Sequence, residues 1–145
     1  MGAQEVSGPF DVDWEGLRAS LASTDVVYAI LFGSCVNGTA ETMSDVDIAV
    51  SFPPEMSSSQ RFRHRNRIDA ELQRYTDGFV DVSDIDELPL PVKYAALRNG
   101  KILVGDPEQV TEDREQVRQR YEDSAEERER EREAFIDRLA RGDIR

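Results

Sequence analysis

The chain has 145 residues, 39% of them apolar, and a single cysteine, which predicts one globular domain without an internal disulfide. Thirty acidic residues against 18 basic ones give a formal charge of −12, which opposes generic binding to nucleic acid and, with only two lysines, resembles proteins of salt-loving organisms. No apolar stretch approaches the roughly 20 residues that span a bilayer, and the N-terminus lacks a signal-peptide pattern, so we expect a cytoplasmic protein.

The first two predicted elements are a helix and a strand. Asp13 can accept a backbone hydrogen bond as a helix cap, and Trp14, Leu17 and Leu21 follow at the i, i+3 and i+7 spacing of one helical face. The continuous apolar run over residues 26–32 is typical of a strand covered on both faces. This region therefore predicts a helix followed by a fully buried strand.

Three further elements are predicted in the middle of the chain. Residues 45–52 form a strand that ends at two prolines, which cannot continue the hydrogen-bond ladder. Residues 57–76 form a helix whose arginines are mainly solvated, and residues 79–85 form a third strand. The buried side of the helix is predicted to contain three apolar residues, Phe62, Ile68 and Leu72.

The last third of the chain becomes increasingly charged. A proline-containing link is followed by a short helix over 94–98, a short strand over 101–104 and one or two long helices over 108–141. The apolar residues of the long helices form two groups, Val110, Val117 and Tyr121, and then Phe135, Ile136 and Leu139. Residues 122–133, between the two groups, are polar all round, and such a helix usually spans solvent or lies against a partner.

Two aspartates at the start of the second strand are the first candidate functional residues. Side chains alternate along a strand, so Asp45 and Asp47 share one face while Val46 and Ile48 point to the core. Two adjacent carboxylates repel and raise each other's pKa unless a cation lies between them, and magnesium prefers such oxygen ligands. The alternative is an exposed strand end with two solvated aspartates.

The turn before this strand favours the metal interpretation. Gly33 allows the backbone to approach a ligand closely, and the hydroxyl and backbone N–H groups at Ser34 suit a phosphate. Gly38 keeps the following loop open. Together with the aspartates, the turn predicts a phosphate site next to a metal site.

This pattern resembles that of a known family. The spacing of Gly33-Ser34, ten residues and Asp45-x-Asp47 resembles the signature of the DNA polymerase β nucleotidyltransferase superfamily, and residues 31–50 look like those of the minimal nucleotidyltransferases, MntA-type antitoxins paired with HEPN-domain toxins. The resemblance implies an α/β (α+β) fold with a small mixed sheet flanked by helices. It divides the chain into a flexible N-terminus (1–12), a nucleotidyltransferase core (13–105) and a charged C-terminal helical extension (106–145).

The family has a third carboxylate on a later strand. The resemblance assigns it to Asp81, which lies between Val80 and Val82, two residues that would face the core. Asp84 and Asp86 are alternatives at or beyond the end of the strand.

The resemblance also implies ATP as substrate and two Mg²⁺ ions. Asp45 and Asp47 would hold the ion that gathers the phosphates, and Asp47 with Asp81 would hold a second ion near the attacking hydroxyl. The phosphates would be bound at four loop residues, Gly33, Ser34, Asn37 and Gly38. Asn37 stands where related sequences often carry an arginine, and its amide can hydrogen-bond a phosphate but adds no charge.

Two other residue types that often carry chemistry are given structural roles. His64, the only histidine, is interpreted as a solvated helix residue, and Cys35 as a small packing residue. Because the sequence has no cluster of cysteine and histidine, we expect no zinc site.

The function implied is that of an antitoxin in a type VII toxin–antitoxin system. It would transfer AMP from ATP to a tyrosine of a cognate HEPN ribonuclease toxin and form a hetero-oligomer with that toxin. One alternative is a non-catalytic antitoxin that neutralises the toxin by binding alone. Another is a small-molecule nucleotidyltransferase, ranked last because the chain is short for the additional domain that shapes such acceptor pockets.

Overall fold

The computed structural model describes residues 11–33 and 46–142. The N-terminal residues 1–10 and the segment 34–45, which contains Ser34, Asn37, Gly38 and Asp45, lie outside the described residues. The described elements are, in chain order, α1 (Trp14–Ala22), β1 (Tyr28–Phe32), β2 (Val46–Ser51), α2 (Ser58–Leu72), β3 (Val80–Asp84), α3 (Leu90–Asn99), β4 (Lys101–Gly105), α4 (Pro107–Asp123) and α5 (Ala125–Arg141).

The strands form one four-stranded mixed sheet in the order β3-β2-β1-β4. β1 runs antiparallel to both β2 and β4, whereas β2 and β3 are parallel. A parallel pair needs a crossover connection, and α2 supplies it between β2 and β3. The predicted α/β fold with a small mixed sheet flanked by helices is confirmed.

Each face of the sheet carries its own hydrophobic core. Helices α1 and α2 pack on one face, against inward-pointing residues of all four strands such as Leu31, Ile48, Val82 and Leu103. Helices α3 and α4 pack on the other face, largely against Tyr28, Ile30 and Ala49. This two-sided cover explains why the apolar run of β1 is continuous rather than alternating.

Helix α1 begins and packs as the sequence predicts. Asp13 caps it by accepting a hydrogen bond from the backbone N–H of Gly16 at 3.0 Å. Trp14, Leu17 and Leu21 are all buried, so the predicted stripe is confirmed.

The prediction for the buried side of α2 is wrong in one residue. Ile68 and Leu72 are buried, but Phe62 is 59% exposed. Counting back from Leu72 in helical steps of four, three and four reaches Ile68, Arg65 and Arg61, so arginines occupy the inner face where an apolar residue was expected. Arg65 accordingly donates to the backbone carbonyl of Val82 at 3.2 Å.

Arg61 links α2 to the end of β3 through ion pairs. One guanidinium nitrogen lies 3.3 Å from Asp84 Oδ2 and 3.2 Å from Asp86 Oδ2, and Asp84 is 3% exposed. Lys93 of α3 reaches the other oxygen of Asp86 at 3.3 Å. The buried charge of Asp84 is therefore paired, as a carboxylate inside a protein must be.

Helix α3 is longer than the predicted 94–98, because it begins at Leu90. Pro91 lies in its first turn, where backbone N–H groups have no partner within the helix, so the proline does not interrupt it. The prolines that suggested a link therefore mark a helix start.

The C-terminal region forms two helices that meet at Ser124. Val110 and Val117 of α4 are buried against the sheet. The buried Tyr28 donates a hydrogen bond of 2.6 Å to Asp113 of α4, and burial, helped by this carboxylate, raises the pKa of the tyrosine. No residue of α5 is buried, and none of the described helices is long and apolar enough to cross a membrane.

An aromatic contact holds the junction of α4 and α5. Tyr121 stacks on Tyr94 of α3 with ring centroids 4.7 Å apart, and the guanidinium of Arg128 lies 4.1 Å from the Tyr121 ring centre. Arg128 also donates to the carbonyl of Tyr121 at 3.2 Å. The first turn of α5 is therefore anchored, whereas its later apolar residues, Phe135, Ile136 and Leu139, are about half exposed.

Replacing Arg61 by methionine is expected to lower the free energy of unfolding by roughly 3–5 kcal/mol, because Asp84 would be left buried without its partner. Urea unfolding followed by circular dichroism measures this. Arg63→Met, an exposed position on the same helix, is the matched control and should change stability by less than about 0.5 kcal/mol. Equal stability of the two variants would contradict the assigned role.

Candidate active site

Asp47 and Asp81 lie next to each other on neighbouring strands. They are register partners in the parallel pair of β2 and β3, so their side chains project from the same face of the sheet. Adjacent strands are about 4.8 Å apart, which places the two carboxylates within reach of a common cation. The structure therefore brings these two predicted site residues together, and their common role in a site stays a prediction.

The turn after β1 lies beside Asp47 and Asp81, and together they form a row across the sheet. Phe32, the last residue of β1, is the cross-strand partner of Asp47, and Gly33 follows with a φ of +84°. A Cβ atom on Gly33 would lie 2.5 Å from Asp47 Oδ2, closer than atoms can approach. Only glycine therefore lets the turn and the carboxylate occupy this arrangement.

Alternation along the strands separates the carboxylates from the core beneath them. Val46 and Ile48 of β2, and Val80 and Val82 of β3, point into the core shared with α1 and α2. On the other face α3 and α4 cover mainly the part of the sheet around β1, and Asp81 is exposed. The candidate site thus lies at an open part of an otherwise covered face.

The alternative third carboxylates do not join this row. Asp84 is an odd number of residues from Asp81, so it points to the opposite face, where it is buried against Arg61. Asp86 lies beyond the strand and contacts Arg61 and Lys93. Of the three candidates, Asp81 is the one placed beside Asp47.

The described residues contain part of the predicted metal site. Within residues 11–33 and 46–142, no group of three or more histidine, cysteine or acidic residues is arranged to hold a metal ion, and Asp45 lies outside those ranges. Asp47 and Asp81 nevertheless supply carboxylate oxygens side by side, the donor type that Mg²⁺ prefers. The chemistry of the pair fits a divalent cation.

His64 lies away from these carboxylates. It is on α2, which packs on the opposite face of the sheet, and its ring centre is 6.3 Å from that of Phe52. It borders a polar hollow of about 320 Å³ together with Arg67 and Glu71. Its side chain is partly buried, whereas the sequence predicted a solvated helix residue.

A cavity of about 350 Å³ adjoins the candidate site and was not foreseen from the sequence. Its described lining comes from the end of β1 and from α3, and includes Phe32, Gly33, Ala95, Ala96, Asn99 and Gly100. The small residues of α3 were available as a signal. Ala95 and Ala96 lie within the helix predicted over 94–98, but the sequence does not show which part of the sheet that helix packs against.

Comparison with known proteins gives the family and the fold. Residues 15–109 match the family model described as polymerase beta, nucleotidyltransferase. No curated protein matches the chain. A solved structure of a toxin–antitoxin with AMP-PNP superposes with a TM-score of 0.62 at 22% identity, covering 89% of this chain and 99% of that chain.

Two further solved structures show the same fold. A MntA–HepT toxin–antitoxin structure has a TM-score of 0.56 at 20% identity and covers 88% of this chain and 96% of that chain. A structure of tri-AMPylated Shewanella oneidensis HEPN toxin in complex with MNT antitoxin has a TM-score of 0.57 at 19% identity, with 88% and 98% covered. At these identities the likeness is one of fold.

Replacing Gly33 by alanine is expected to weaken binding of Mn²⁺, used as a probe for Mg²⁺, because the new Cβ displaces the Asp47 carboxylate. The left-handed backbone should also cost roughly 1–2 kcal/mol of stability. Electron paramagnetic resonance titration measures free Mn²⁺, and thermal unfolding measures stability.

Gly142→Ala separates the two effects. Gly142 has a φ of +75°, but nothing lies within 4 Å of its would-be Cβ. This variant should keep the Mn²⁺ affinity of the parent chain. If Gly33→Ala also keeps it, Asp47 is not part of a cation site.

Proposed function

The chain belongs to the polymerase β nucleotidyltransferase family, and we propose that it is an antitoxin that transfers AMP from ATP to a tyrosine of a cognate HEPN ribonuclease toxin. The proposal includes a cytoplasmic location, complex formation with the toxin and dependence on Mg²⁺. The observation that carries it is the row formed by Gly33, Asp47 and Asp81 across three strands.

The choice of a protein acceptor is supported by the relatives and by the open edge of the sheet. The relatives of the same fold include a toxin–antitoxin structure with AMP-PNP and a tri-AMPylated HEPN toxin in complex with MNT antitoxin. In this chain β3 is an edge strand, Asp81 is exposed, and Phe79, just before the strand, is 69% exposed. Among the described residues, the exposure of Asp81 and Phe79 at this edge suits the approach of a large acceptor.

Asp45, Asp47 and Asp81 would hold the divalent cations, and Asp47, in the middle strand of the row, would contact both. When bound there, Mg²⁺ would neutralise the phosphates and lower the pKa of the attacking hydroxyl. Cation dependence also follows from charge. A chain with a formal charge of −12 and adjacent carboxylates at its site repels a free triphosphate.

The remaining steps are assigned to the chain's own groups. The turn residues Gly33, Ser34, Asn37 and Gly38 would bind the β- and γ-phosphates and so orient the α-phosphate toward the acceptor. The acceptor oxygen forms a bond to the α-phosphorus as the bond to the bridging oxygen breaks and pyrophosphate leaves. The acceptor's proton would pass to Asp81, which is exposed and lies on the edge strand β3.

A second candidate function is neutralisation by binding alone. It is favoured by α5, on which Phe135, Ile136 and Leu139 are about half exposed and no residue is buried. Such a surface suits a protein contact whether or not catalysis occurs.

Asp47→Asn and Asp81→Asn are each expected to reduce AMP transfer by roughly 100-fold or more, the scale on which loss of one preorganised electrostatic group acts. Asp45→Asn should act in the same way. Intact-mass spectrometry of the purified toxin after incubation with ATP and Mg²⁺ counts the AMP groups added. Asp86→Asn, the exposed alternative carboxylate, is the control and should retain transfer.

The same assay separates the two candidate functions. Transfer that requires ATP and Mg²⁺ and disappears with EDTA supports the enzyme. A toxin that gains no mass but stays inhibited in EDTA is neutralised by binding. Undiminished transfer by Asp47→Asn or Asp81→Asn would refute the assignment of these residues.

A further inference from the structure

We infer that the cavity beside Gly33, here called the α3 cavity, takes the adenine ring of the nucleotide, and that Asn99 reads the edge of that ring. This inference rests on the proposed function. It addresses a question that the glycine-serine turn and the aspartates leave open, namely why the chain would bind ATP rather than GTP. The α3 cavity is lined by Phe32, Gly33, Ala95, Ala96, Asn99 and Gly100, among others.

The position of the α3 cavity relative to the carboxylates favours a nucleotide. Gly33 belongs to both, because it lines the cavity and its backbone lies against the Asp47 carboxylate. In a nucleotide the base is joined to the phosphates through the ribose, so it falls beside the phosphate site rather than on it. A cavity that shares one wall with the candidate phosphate turn meets this requirement.

The lining of the α3 cavity suits a flat aromatic ligand. Its volume of about 350 Å³ lies at the lower end of the range of roughly 300–1,000 Å³ for small-molecule sites. Phe32 offers a ring on which a base can stack, and Ala95 and Ala96 keep the helix wall shallow. Among the described lining residues, Asn99 carries the one polar side chain.

The end of α3 is held firmly enough for Asn99 to act as a reader. A Cβ atom on Gly100 would lie 2.3 Å from Ile30 Cγ2, which shows how closely the helix end is pressed onto β1. The N–H of Gly100 also donates to the carbonyl of Ala96 at 2.9 Å. The backbone at Gly100, directly after Asn99, is therefore held both by its packing on β1 and by this hydrogen bond.

An asparagine amide distinguishes the two purines by its hydrogen-bonding pattern. Adenine offers an N6 amino donor next to the N7 acceptor, which matches the carbonyl and amino groups of one carboxamide. Guanine offers O6 and N7, both acceptors, so one end of the same amide faces an acceptor with its own oxygen. Asn99 in the α3 cavity therefore favours adenine.

The acceptor is the other occupant to consider. Asp81, assigned to receive its proton, lies on the β3 side of Asp47, whereas the α3 cavity lies on the β1 side. The base stays attached to the α-phosphorus through the ribose, so in-line displacement places the acceptor opposite the pyrophosphate and does not itself locate the base. The exposed Asp81 on the edge strand β3 gives the acceptor a region of its own, on the other side of Asp47 from the α3 cavity, and we assign that cavity to the nucleotide.

Isothermal titration calorimetry in the presence of Mg²⁺, with ATP, GTP and tripolyphosphate as separate ligands, tests the inference on the full chain. Ala95→Phe should fill the α3 cavity and weaken ATP binding at least tenfold while leaving tripolyphosphate affinity unchanged. Asn99→Ala should reduce the preference for ATP over GTP by roughly 5- to 100-fold, the range for one bidentate contact to a base.

Two control variants carry the same chemical changes on the opposite face of the sheet. Ala70→Phe and Asn66→Ala, both exposed on α2, should leave all three affinities at the parental values. Circular dichroism confirms that every variant is folded. If Ala95→Phe does not fold, the ATP-to-GTP ratio of Asn99→Ala decides.

Each of the following results would contradict one part of the inference. Unchanged ATP affinity in Ala95→Phe with a raised KM for the toxin would assign the α3 cavity to the acceptor. An unchanged ATP-to-GTP ratio in Asn99→Ala would remove Asn99 as the reader. If the parent chain binds neither ATP nor tripolyphosphate, both the proposed function and this inference are wrong. If it binds ATP but does not transfer AMP to the toxin, the proposed function is wrong and the assignment of the base to the α3 cavity still stands.

Discussion

The structure is organised around two negative charges that repel each other. Asp47 and Asp81 are brought side by side by the parallel pairing of β2 and β3, and nothing in their own chemistry favours that approach. The free energy that holds them together comes from elsewhere. Valines and isoleucines alternate with the aspartates and are buried under α1 and α2. Burial of these apolar side chains fixes the strands, and the alternation then places the carboxylates on the opposite face.

Much of this could be read from the sequence because the relevant signals are local. The alternation around Asp47, the cap at Asp13 and the apolar run of β1 each reflect neighbouring residues, and the structure reproduces them. The pairing of Asp81 with Asp47 depends on strand register, which residue spacing alone does not specify. It could be predicted because the family resemblance supplied the third carboxylate.

The elements that were predicted wrongly share one cause. The position of a residue was decided by its tertiary contacts rather than by its type. Arg61 occupies the inner face of α2 because buried Asp84 is there to receive its charge, so an apolar residue was sought in the wrong place. Pro91 was placed in a link, although its position in the first turn is compatible with the helix. The α3 cavity was not predicted because it forms between α3 and the end of β1, which are far apart in the chain.

The crossover through α2 has a consequence for how the activity relates to folding. β1 and β2 are consecutive strands that pair antiparallel, whereas β3 pairs with β2 across the intervening helix α2, which Arg61 links to Asp84 at the end of β3. Contacts between residues this distant in the chain form late, because the loop between them must first be closed. A chain in which β3 had detached would keep Asp47 on the β1–β2 pair but would no longer hold Asp81 beside it. The activity proposed for this chain therefore depends on its outer strand β3 remaining paired.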